Sequence, residues 1–249
     1  MSIPSLVRSS KRTPANSNRT LNSSPASSSG DTSVDVPMDT DATYGVWWLV
    51  LVNSVFFIVF ALSFTRPRTG RDWRSLGAFS AFIVALFAEM YGFPLSIYLL
   101  SGWLARHYPE IDPFAHDTGH FWHILLRRPG PAHSDPLHIF SEVLVFVGLI
   151  LLAVSWRVLY WAQRDRTLAT TGPYAWVRHP QYTAFMMIML GFLLQWPTFP
   201  TLLMFPVLVG LYILLAYEEE AEARVQFGEA YDRYAAVTPA FFPSWRKRV

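Results

Sequence analysis

Two polar clusters interrupt an otherwise apolar chain. One is Gly172-Pro173-Tyr174-Ala175-Trp176-Val177-Arg178-His179-Pro180-Gln181-Tyr182, and the other, about forty residues later, is Glu218-Glu219-Glu220. Ionisable side chains between apolar helices are expensive and mark functional sites. Arg178 and His179 precede Pro180, a residue suited to the first turn of a helix. The pair is therefore predicted at a helix N-terminus, where free N–H groups and the dipole favour an anion such as a carboxylate. Glu218 and Glu219 are read as ending the returning helix, where the dipole disfavours them and a cationic or hydroxyl-rich partner would help. The rings of Tyr174, Trp176 and Tyr182 offer faces to a positive centre. A ligand carrying a carboxylate, a cation and a ribose would use these groups together. Spacing alone also fits a plainer reading, in which Arg–Glu pairs at helix ends snorkel and set topology.

The elements that must hold these clusters are membrane helices. Of 249 residues 52% are hydrophobic and 15% charged, against about 25% charged in soluble domains. The expected class is all-α, a polytopic membrane protein of about five transmembrane helices. The windows are 44–64, 76–104, 137–161, 182–196 and 199–217, each judged against the roughly 20 residues needed to cross a bilayer. Glu89, Gly92 and Pro94 should kink the second, and Pro206 and Gly210 the last. An amphipathic helix over 218–236 is expected to close the chain outside the bilayer. Residues 1–43 hold eleven Ser in the first 35 positions and read as a disordered tail. The rest, 44–249, reads as one domain: 44–161 with a His-rich loop at 105–136, and a catalytic half at 162–249. The 65–75 loop is net +3 and the 105–136 loop net −1. Basic loops stay inside, which puts the N-terminus outside and both polar clusters, with the C-terminal helix, at the cytoplasmic face. With no Cys, thiol catalysis and disulfides are excluded. A net charge of +2 with no basic patch gives no support for nucleic-acid binding.

The order G-x-Y-x-x-x-R-H-P-x-Y, a helical pair, Glu-Glu, then F-G-x-x-Y-x-x-Y, spanning Leu168 to Phe242, resembles the catalytic half of the isoprenylcysteine carboxyl methyltransferase family. Its relatives are phospholipid N-methyltransferases and thiol methyltransferases. The N-terminal half is similar to bacterial members, which implies a bacterial inner membrane. The resemblance implies an integral membrane methyltransferase using S-adenosylmethionine. In it Gln163, Thr167, Leu168, Ala169, Tyr174, His179, Pro180, Gln181, Tyr182, Glu218 and Glu219 form the cofactor site, with Arg178 beside it. One position departs from the family. Its eukaryotic prenylcysteine enzymes carry a substrate-binding Arg one turn before the matching Glu, and here that residue is Leu215, which argues against a prenylcysteine acceptor.

Methyl transfer from a sulfonium is an in-line displacement that depends on alignment. A carboxylate acceptor needs no base. A thiol or amine would need one, and His179 or Glu89 is the candidate, giving Arg178, His179 and Glu89 as the catalytic set. The acceptor is expected to be lipophilic or a small molecule reached from the membrane lipid. The 105–136 loop offers a rival reading. His116, His120 and His123 with Asp112 and Asp117 have spacings that a helix could present to Zn²⁺ or Cu²⁺, which would make a metal-handling protein. Pro113 and Gly119 weaken that helix, and His107, His133 and His138 are scattered, so solvated or interfacial histidines are expected and no metal is assigned. A non-catalytic membrane scaffold is the third reading.

Overall fold

The computed structural model describes residues 44–64, 69–113, 116–127 and 134–243. The expected disordered tail, the Arg66 and Arg68 part of the basic loop, His133 and residues 244–249 lie outside these residues, as do the side chains of His116 and Asp117. Every regular element described is helical: α1 Trp47–Ser63, α2 Gly70–Phe87, a π-turn Ala88–Gly92, α3 Leu95–His107, α4 Phe121–Leu125, α5 Pro136–Arg164, α6 Pro180–Gln195, α7 Phe199–Phe227 and α8 Glu229–Val237.

Local sequence sets the helix starts. Thr69 and Asp72 form a capping box on α2, and Thr198 and Thr201 form one on α7. Asp135 caps α5 by accepting from Leu137 N at 2.8 Å, with Pro136 in the first turn. Pro180 opens α6 as expected, with His179 at the N-cap.

The interruption near Glu89 is present, but as a π-turn that separates α2 from a distinct α3. Among the described residues three helices are long and apolar enough to cross a bilayer: Gly70–Gly92, Pro136–Arg164 and Phe199–Phe227. The protein is an integral membrane protein, all-helical among the described residues, and the expected count of five spans is not confirmed. With 17 residues α1 is about 26 Å long and with 16 residues α6 is about 24 Å, short of a hydrocarbon core of about 30 Å. The apolar character of α6 has a second cause. Ten of its residues are buried, packed against α5 and the core of Phe79, Phe82, Phe185, Ile188 and Tyr212, so protein rather than lipid surrounds it.

Two glycines permit the α5–α6 approach. A Cβ at Gly148 would meet Ile188 Cγ1 at 2.7 Å, and one at Gly191 would meet Val145 Cγ2 at 2.6 Å. The last helices also differ from expectation. Glu218 does not begin a new helix, because α7 runs unbroken to Phe227 and stops at Gly228, whose φ of +52° only glycine adopts readily.

The His-rich segment folds back onto the α6–α7 turn. His120 and His138 are buried, which corrects the solvated reading. His120 Nδ1 lies 3.2 Å from Gln195 O, Trp122 Nε1 donates to Leu193 O at 3.3 Å, and His123 pairs with Asp135 at 3.1 Å. A Cβ on Gly119 would fall 1.8 Å from the Trp196 ring. The segment thus supplies partners to the C-terminal carbonyls of α6, which its own backbone leaves open.

Candidate active site

The N-terminus of α2, the C-terminus of α5, the 165–179 linker, the start of α6, the outer end of α7 and α8 surround one cavity of about 460 Å³. Gln163, Thr167, Leu168, Ala169, Tyr174, Arg178, His179, Gln181, Tyr182 and Glu219 all line it. Residues 100 and more apart in sequence converge because α2 and α7 pack side by side.

Glu219 lines the cavity and takes its hydrogen bonds from neutral donors. Tyr182 donates its hydroxyl to Glu219 Oε1 at 2.5 Å and Gln181 Nε2 donates to Oε2 at 3.3 Å. His179 Nδ1 is 3.3 Å from Oε2, outside hydrogen-bond geometry. Gln181 is itself held by the Tyr174 hydroxyl, which donates to Oε1 at 2.8 Å. Burial foremost, with Glu219 nearby, holds the Tyr174 hydroxyl well above the usual tyrosine range, so it stays a donor and fixes the Gln181 amide.

Glu220 has the opposite surroundings. Arg178 donates to its Oε1 from Nε at 3.0 Å and Nη2 at 2.8 Å, and His179 Nε2 is 3.0 Å away. Arg178 Nη1 donates to Ala235 O and Thr238 O at 3.1 and 2.6 Å, and its backbone N–H donates to Pro239 O. Four of the five guanidinium N–H groups are therefore spent on the protein. The sequence pointed to Arg178 as a chemical group; the contacts make it a tie between α6, α7 and the segment after α8.

Three expected site residues lie elsewhere. Pro180 is buried at the first position of α6 and does not line the cavity. Glu218 turns to Arg71 and Arg74, at 3.4 and 3.0 Å, because one step along a helix rotates a side chain by about 100° from Glu219. Glu89 accepts from Ser96 N at 3.1 Å at the far end of α2. At roughly 1.5 Å per residue it is about 27 Å from Arg71 along the helix, and it does not line the cavity.

The cavity also has walls that sequence reasoning passed over. Arg71 forks onto Glu222, with Nη1 at 2.8 Å and Nη2 in closer contact, and both line the cavity together with Glu220. Tyr231 and Tyr234 reach in from α8, and Phe64, Leu76, Trp156, Leu159 and Phe185 make the apolar side. The F-G-x-x-Y-x-x-Y pattern was the signal for the two tyrosines. Nothing in the sequence singled out Arg71 from its basic loop. Leu215 is buried in the core beside Tyr212 and Ala216. Among the described residues no group of three or more His, Cys, Asp or Glu is arranged to hold a metal ion.

No curated protein and no solved structure matches the chain. Residues 136–223, from the start of α5 to near the end of α7, match the model of the Isoprenylcysteine carboxyl methyltransferase (ICMT) family. That stretch holds the 165–179 linker, the R-H-P-x-Y turn and the cavity glutamates Glu219, Glu220 and Glu222, so the similarity to the family falls on the candidate active site.

Proposed function

We propose that the cavity binds S-adenosylmethionine and that the protein transfers its methyl group to a lipophilic or small acceptor entering from the membrane. The observation that carries this reading is Glu219, a cavity carboxylate whose hydrogen bonds come from the neutral Tyr182 hydroxyl and Gln181 amide, while the Arg178 guanidinium is taken by Glu220, so Glu219 is the carboxylate placed to meet a cationic ligand. The tyrosine rings at 174, 182, 231 and 234 surround the same space and suit a sulfonium or ammonium. Gln163, Thr167, Leu168 and Ala169 would hold the cofactor's other polar parts, and the family domain supports the reaction class.

When bound, the cofactor supplies an electrophilic methyl group on a positive sulfur. The residues of this chain do the rest by position. Glu219 orients the charge, with Gln181 and Tyr182 fixing its carboxylate; Arg178 and Glu220 lock the turn that presents His179. Such alignment is worth roughly 7–11 kcal/mol when reacting atoms are held at attack distance. For an acceptor that must lose a proton, His179 is the nearest imidazole. The apolar side formed by Phe64, Leu76, Trp156 and Leu159 gives the acceptor its path and keeps water out. The basic residues at this end, Arg71, Arg74, Arg164, Arg166 and Arg178, support a cytoplasmic face for the cavity, where a soluble cosubstrate would reach it.

The reaction is tested by incubating membranes that contain the protein with a methyl-labelled donor and following the label by mass spectrometry. Label in a lipid-extractable or small-molecule product, absent with Glu219→Gln, is expected. Equal labelling with and without the protein would overturn the assignment.

A further inference from the structure

One cavity wall is unlike the others. Tyr174, Tyr182 and Tyr234 each donate a hydroxyl to a protein oxygen. Tyr231 also lines the cavity and is only 3% exposed, yet its hydroxyl has no hydrogen-bond partner in the protein. Buried hydroxyls are nearly always paired, and an exception calls for a reason.

The surroundings prevent Tyr231 from relieving itself. Arg178 holds the end of α8 through Ala235 O and Thr238 O, and Tyr234 ties the helix to Tyr174 O at 2.6 Å. The Arg224 guanidinium lies over the Tyr231 ring, 5.4 Å from its centre. Nearby Arg178 and Glu220 are already engaged with each other. Burial foremost, with Glu220 adding to it, pushes the hydroxyl up to about 12, so at neutral pH it keeps its proton and can donate it to an acceptor.

We infer that Tyr231 is a cofactor-binding residue, donating its hydroxyl to an acceptor oxygen or nitrogen in the part of the bound cofactor that is not transferred. The inference rests on the S-adenosylmethionine reading. Residue 231 is the first tyrosine of the F-G-x-x-Y-x-x-Y pattern and lies on α8, beyond the matched stretch 136–223. A buried polar group to which the fold itself gives no partner is of the kind that gathers at binding sites.

Tyr231→Phe separates this role from a structural one by sign. Deleting an unpaired buried hydroxyl should leave the thermal midpoint of the free protein unchanged or raise it, while S-adenosylmethionine affinity falls about 3- to 10-fold, the size of one hydrogen bond. Competition with free methionine and with adenosine, run on both proteins, shows which end of the cofactor takes the bond: only the competitor that meets Tyr231 loses affinity in the variant. Equal affinity in wild type and variant overturns the inference and leaves the cofactor reading standing. A lowered midpoint of the free protein overturns it as well, since the hydroxyl then supports the fold. Wild-type protein that binds no S-adenosylmethionine overturns both.

Discussion

Arg178 meets Glu220 through two donors, at 3.0 and 2.8 Å, with the two side chains 16% and 6% exposed. Neighbouring glutamates thus differ: Glu220 is ion-paired with Arg178, while Glu219 lines the cavity with hydrogen bonds from Tyr182 and Gln181. Removing one partner of a buried pair leaves the other uncompensated, at a cost of about 3–5 kcal/mol. Glu220→Gln and Arg178→Ala should therefore lower the thermal midpoint of the detergent-solubilised protein sharply, and Glu219→Gln should not. Equal midpoints for the Glu220 and Glu219 variants would contradict this division.

The α5–α6 seam depends on absent side chains. At Gly191 a Cβ would meet Val145 Cγ2 at 2.6 Å and Ser141 O at 3.0 Å, and the backbone oxygen cannot swing aside. Gly191→Ala should destabilise by about 1–3 kcal/mol through overpacking. Gly210, whose Cβ would meet nothing within 4 Å, is the control: Gly210→Ala should be neutral or stabilising.

Glu89 should be silent in binding. Glu89→Gln keeps its size and lies at the far end of α2, so cofactor affinity measured by calorimetry should stay within about twofold of wild type, an effect below 0.5 kcal/mol. A tenfold loss would return Glu89 to the site.

The alkaline limb follows from the buried tyrosines of the cavity. Burial holds the hydroxyls of Tyr174, Tyr231 and Tyr234 above their ordinary value of 10.0, Tyr231 to about 12. The folded state thus keeps protons that the unfolded chain releases, so the stability is full below pH 10 and falls as pH rises from 10 toward 12. Ultraviolet titration should show these tyrosinates appearing only with unfolding; smooth ionisation near pH 10 with the fold intact would contradict the burial described.

Much of the site was legible because its residues are chemically conspicuous. The R-H-P turn and the glutamate run stand out against apolar neighbours, and Pro180 marks a helix start. What stayed hidden depended on helix phase and length. Glu218, Glu219 and Glu220 are alike as types, and their three destinations, Arg71, the cavity and Arg178, follow from about 100° of rotation per residue. The charges at 218–220 read as the end of a span, but Glu, Ala and Arg are strong helix formers, so α7 continues and carries Glu222 to Arg71. Glu89 drew notice as a charge among apolar residues, though its partner is the backbone of Ser96 across the π-turn. Arg71 and Tyr231 reach the cavity through tertiary packing that no local pattern encodes.

The central claim is that Glu219 holds a cationic methyl donor. Titrating S-adenosylmethionine into purified wild type and Glu219→Gln by isothermal calorimetry tests it most directly. A charge-assisted contact is worth about 1.5–3 kcal/mol, so saturable binding by wild type and a roughly 10- to 100-fold weaker affinity in the variant are expected, with similar thermal midpoints. No binding by wild type, or equal binding by both, would contradict the account.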